Sequence, residues 1–150
     1  MQLRILVAIA LAAASALGLA PTAAAAQMYY GAYNVAIDGR YDFHTWIFSI
    51  SACNDTVPDC VSVITIPQPV AKAYEAYVNA YYADGKYTMV VDDPFGLRCG
   101  NVYYGPTIPT RDVYTWDAKT LVGSMASSFA NGCDGAPGGT FTYPIRLSRM

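Results

Sequence analysis

Residues 41–51 alternate in a way only an extended chain explains. His44, Trp46, Phe48 and Ile50 fall on one face, and Phe43, Thr45, Ile47 and Ser49 on the other. Both faces carry apolar residues, so this strand is expected to be covered on both sides at its middle. The same two-residue period recurs over 86–92. There Tyr87, Met89 and Val91 alternate with Lys86, Thr88 and Val90.

Two Asp-Gly pairs punctuate the pattern. Asp38-Gly39 separates 29–37 from 41–51, and Asp84-Gly85 separates 76–82 from 86–92. Asp-Gly between alternating segments signals a type I′ hairpin, because both central residues need positive φ. Further strands are expected over 61–66, 112–117, 121–130 and 140–148, with Asp117-Ala118-Lys119-Thr120 as a turn. Residues 69–82 are ambiguous. Val70, Tyr74, Tyr77, Val78 and Tyr81 have helical spacing and Pro69 suits a helix start, so a short helix is expected around 69–76. We assign 76–82 to a strand because it runs straight into Asp84-Gly85. The count is about eight short strands, an all-β fold in the form of an antiparallel barrel or sandwich.

Upstream the pattern changes. Arg4 precedes an uncharged, mostly apolar run over 5–20; Pro21 ends it, and small residues follow to Ala26. This reads as a signal peptide over 1–26, cleaved near Ala26/Gln27. The run is short for a membrane span, which needs roughly 20 apolar residues. No cysteine stands at the cut for lipid attachment, the first being Cys53. The expected product is one domain over 27–150, secreted or extracytoplasmic, with no membrane association after cleavage.

The compartment gives the cysteines their meaning. Cys53, Cys60, Cys99 and Cys133 allow three pairings. Cys53 and Cys60 flank a run of turn formers, while Cys99 and Cys133 both sit in Gly-rich stretches. We therefore expect Cys53–Cys60 and Cys99–Cys133, which would contribute about 2.5 and about 3.8 kcal/mol by loop entropy. A zinc site is not expected, since the spacing is not C-x-x-C and His44 is the only histidine.

Charge and composition narrow the partners. Nine Lys and Arg stand against eleven Asp and Glu; without Arg4 the balance is 8 minus 11, or −3. A weakly acidic chain with no basic run argues against nucleic acid. Catalytic groups are few. His44 is the sole imidazole, Glu75 the sole glutamate, and no G-x-S-x-G is present. Asp55, Asp59, Asp92 and Asp93 read as turn and cap residues, and their spacing is not that of an EF-hand. Asn54-Asp55-Thr56 is a sequon by pattern.

The ordered series Thr45-Trp46, Cys53, Cys60-Val61-Ser62-Val63, Asp84-Gly85-Lys86-Tyr87 and Cys99 continues with Tyr114-Thr115-Trp116-Asp117, Leu121-Val122-Gly123, Cys133 and Pro144-Ile145-Arg146-Leu147. It resembles small exported proteins of mycobacteria and related actinobacteria, over about 38–148. Tyr87 stands where that pattern often has tryptophan. The resemblance implies export and disulfides. It implies no activity, and no catalytic residue carries over.

The remaining candidate is the stretch 97–111, expected to be a long loop pinned by Cys99 and able to cover a barrel mouth. It holds Val102, Tyr103 and Tyr104; with Trp116 these are the candidate binding residues. Tyrosines bury much area with few rotatable bonds and keep a polar tip. The expectation is a non-catalytic binding protein of the envelope or exterior, without cofactor, recognising a protein or a small apolar ligand. The alternatives are a small secreted hydrolase using aspartate carboxylates and a structural domain with no pocket.

Overall fold

The computed structural model describes residues 28–40, 43–54, 59–70, 73–100 and 102–150. The expected signal segment and its cut lie outside these, as do Asp55 and the middle of the expected helix, Ala71 and Lys72. Within the described residues eight strands follow one another: β1 (Gly31–Ile37), β2 (Thr45–Ala52), β3 (Cys60–Gln68), β4 (Ala76–Ala83), β5 (Lys86–Arg98), β6 (Thr107–Asp117), β7 (Val122–Asn131) and β8 (Pro137–Arg149). Each pairs antiparallel with the next, and β8 pairs with β1, closing a barrel. The sandwich alternative is thereby excluded. The described part of 69–75 is not helical, and β4 occupies the place assigned to a strand.

Period-2 alternation makes the inner wall. Tyr33 and Val35, then Trp46, Phe48 and Ile50, then Val61 and Val63 are buried, as are Tyr87, Met89 and Val91, Tyr114 and Trp116, Met125, and Ile145 and Leu147. Their rings interlock: Tyr87 stacks on Trp116 at 5.7 Å, and Phe48 meets Tyr114 edge-on at 5.6 Å. Side chains therefore fill the middle of the barrel, one of the two states open to eight strands. On the outer face of β2, Ile47 and Ser49 are only half-buried, beside Asn34 and Ile66. The expected second cover is not there among the described residues; closure into a barrel leaves the outer face to solvent.

The two ends differ. One carries the tight connections. Asp84 and Gly85 both take positive φ, 50° and 83°, as a type I′ turn requires. Met28 is buried beside this end: Trp116 Nε1 donates to its sulfur at 3.4 Å, and its N–H donates to Tyr87 Oη at 3.2 Å. Cys53–Cys60 joins the β2–β3 connection here.

The other end carries the longer connections and departs from expectation. Asp38 is not in the positive-φ region, although Gly39 is at 82°. Asp38 instead donates its N–H to Pro144 O at 2.9 Å, and β2 begins only at Thr45. The connection is thus a longer loop, which turns Arg40 inward. The expected 97–111 loop is also shorter: Leu97 and Arg98 end β5, and β6 begins at Thr107. Cys99–Cys133 ties the remaining loop to the β7–β8 connection.

Candidate binding site at the barrel mouth

Asp93 of β5, Asp112 of β6 and Ser127 of β7 share the inward parity of Val91, Tyr114 and Met125, each two residues nearer the mouth. They are buried. Arg40 enters from above. Its side chain is 7% exposed, with Nη2 4.0 Å from Asp93 Oδ2 and Nη1 3.9 Å from Asp112 Oδ2. Nη2 also donates to Gly96 O at 2.8 Å, and Nη1 to the Met125 sulfur at 3.6 Å. The guanidinium lies 5.9 Å from the centre of the Trp46 ring. Burying these charges is tolerable because they are held together and further bonded. Ser127 Oγ donates to Asp112 Oδ1 at 2.6 Å, and the Phe95 N–H donates to Asp93 Oδ1 at 2.8 Å.

The local backbone serves this cluster. Asp93 pairs with Thr110 and Leu97 with Ile108, so 94–96 bulge out of register. Bulges re-aim the chain near functional sites. Here the bulge turns Gly96 O toward Arg40. A side chain at Gly96 would force Thr110 to move: a Cβ there would lie 1.8 Å from Thr110 Oγ1. Burial pushes the Tyr114 phenol well above its ordinary range, while the charge of Arg40 pulls the other way. Thr110 Oγ1 and Asp112 Oδ2 make no hydrogen bond among the described residues.

An aromatic lid stands over the cluster. The Tyr103 ring stacks on His44 at 5.9 Å and meets Phe43 and Tyr104 edge-on at 5.0 and 4.7 Å. The Arg98 guanidinium lies 5.6 Å from the Phe43 ring and 5.7 Å from the Tyr103 ring, and Nη1 donates to Tyr103 O. Tyr104 and Val102 remain exposed, at 70% and 56%. Arg40 borders two hollows. One of about 200 Å³ is lined by Arg40, Leu97, Arg98, Ser127 and Tyr143; the other, of about 480 Å³, lies toward His44, Trp46 and β1.

The structure places Val102, Tyr103 and Tyr104 at the mouth, in the connection between β5 and β6. Trp116 is not with them. It is fully buried toward the opposite end, against Tyr87 and Met28, and its inward parity withdraws it from any surface. His44 is buried against Trp46 and Tyr103. Asp92 and Asp93 point to opposite faces of β5: Asp92 is exposed and takes Arg111 Nη1 at 3.0 Å. The carboxylates that do approach each other are Asp93 and Asp112, with Arg40 between them. Among the described residues no group of three His, Cys, Asp or Glu side chains is placed to hold a metal.

Comparison of the chain with protein-family models, curated proteins and solved structures found no match.

Proposed function

We propose that this chain is a secreted, non-catalytic binding protein of the cell envelope or exterior, akin to small exported actinobacterial proteins, with the barrel mouth as its recognition surface. Two disulfides fit an extracytoplasmic location. Cleavage near Ala26/Gln27 would release a chain whose next residue, Met28, belongs to the barrel.

One observation carries the reading: Tyr103 is held in place by His44, Phe43 and Arg98, while Tyr104 and Val102 beside it stay in solvent. An anchored ring with exposed apolar neighbours is what a recognition surface requires, since little conformational entropy remains to be lost. The disulfide to Cys133 fixes the same loop. The ligand is a protein segment or a small apolar molecule.

The test is recovery of ligand from envelope extract by the immobilised protein and by a Tyr103→Ala, Tyr104→Ala variant. A loss of tenfold or more in the variant supports the mouth. Equal recovery removes it. Turnover of a glycoside or ester, abolished by Asp93→Asn or Asp112→Asn, would instead favour the hydrolase.

A further inference from the structure

The barrel wall has one weak seam, between β4 and β5. β5 pairs with β6 from Lys86 to Arg98 but with β4 only from Lys86 to Thr88. Beyond Tyr81–Thr88 the two strands part. An opening of about 430 Å³ follows, lined by Val78, Asn79, Tyr81, Thr88, Met89 and Val90. Tyr74 and Asp92 also border a separate groove of about 540 Å³ that lies over β5, β6 and β7, with Pro109, Arg111 and Phe129.

The main chain along this seam is directional. Ala83 and Lys86 flank the type I′ turn and so face each other through a narrow hydrogen-bonded pair, as Tyr81 and Thr88 do two residues on. By the same alternation Val90 and Asp92 turn their N–H and C=O groups toward β4. Neither has a ladder partner there among the described residues. The open row is therefore Val90 and Asp92, about 7 Å apart.

We propose that this seam is a β-augmentation site for an extended segment of a partner polypeptide with a basic residue at its N-terminal end. Backbone groups spaced two residues apart along a strand edge are matched by another extended backbone. Charge sets the end. A segment antiparallel to β5 begins beside Asp92, whose carboxylate is 73% exposed and shares Arg111 Nη1 at 3.0 Å, and beside Tyr74, which is followed by Glu75, a second carboxylate at the same end. The exposed rings of Tyr77 and Tyr81 flank its course. This site is independent of the mouth.

Amide exchange in the disulfide-intact protein tests the edge first. Val90 and Asp92 should exchange at least tenfold faster than Met89 and Val91; equal protection would overturn the proposal. The probe is then an N-acetylated Lys-Thr-Val-Thr-Val-Thr amide at about 1 mM, the weak-affinity range. It should slow exchange at Val90 and Asp92 at least threefold, and a Glu-for-Lys version should bind at least threefold more weakly. Asp92→Lys, a surface change, should reverse that preference. Unchanged exchange with the Lys peptide, or an unreversed preference, would overturn the proposal. A Tyr103→Ala, Tyr104→Ala variant should bind the peptide normally, which separates this site from the mouth.

Discussion

Arg40 Nη1 stands 3.9 Å from Asp112 Oδ2, inside the barrel mouth and away from bulk water. A cation and a carboxylate in such a place depend on each other. Losing one leaves the other buried and uncompensated, which costs about 3–5 kcal/mol. Arg40→Met should destabilise the protein by about that amount in denaturant titration. Asp112→Leu added to Arg40→Met should recover part of it, because the pair is then removed together. Additive losses would contradict the coupling.

The two disulfides should separate stability from recognition. Replacing Cys53 and Cys60 by alanine should cost about 2.5 kcal/mol, and replacing Cys99 and Cys133 about 3.8 kcal/mol. Only the second pair holds the Tyr103 loop, so only its loss should weaken ligand recovery at temperatures where both variants are folded. Equal effects on recovery would contradict the lid's dependence on Cys99–Cys133.

Gly96→Ala should destabilise by about 1–3 kcal/mol, the scale of overpacking. The added Cβ would meet Thr110 Oγ1 at 1.8 Å, Cβ at 2.9 Å and Cγ2 at 3.0 Å. Thr110→Ala in the same chain removes Oγ1 and Cγ2 but keeps Cβ, and should return part of the loss, as read from thermal unfolding. No recovery would show that the bulge, not Thr110, sets the limit.

Alkaline pH should weaken the fold through Tyr114. Burial raises its pKa in the folded state above that of an unfolded tyrosine, near 10. The folded state therefore holds the proton to higher pH. Its contribution is complete below pH 10 and is lost as pH rises from there toward the folded value, at up to about 1.4 kcal/mol per pH unit. Ultraviolet titration of the phenols should show Tyr114 ionising together with unfolding, and Tyr114→Phe should flatten the alkaline stability loss. Ionisation near pH 10 in the folded protein would contradict this.

The strands were legible because each has a period of two and a definite end. Tyr87, Met89 and Val91 alternate with Lys86, Thr88 and Val90, and only the first set enters the core. Positive φ at Asp84 and Gly85 made that turn readable, whereas the same dipeptide at Asp38 misled. Its N–H is taken by Pro144 O, a contact between distant segments that no local pattern encodes. For the same reason Arg40 went unnoticed: an arginine after Asp-Gly looks like surface. The stretch 97–111 reads as a loop in sequence, and Pro109 lies within it. Pro109 is nevertheless inside β6, where pairing with β7 begins only at Arg111 and no partner needs its N–H. Trp116 was singled out for its ring, yet its parity with Tyr114 already placed it inside.

The central claim is that ligand meets the mouth through Tyr103 and Tyr104. Amide chemical-shift mapping of the labelled, disulfide-intact protein against fractionated envelope extract tests it most directly. Shifts should gather at Phe43, Gly96, Tyr103 and Tyr104 and vanish in the Tyr103→Ala, Tyr104→Ala variant. Shifts confined to the closed end around Met28 and Tyr87, or unchanged by the substitutions, would contradict the account.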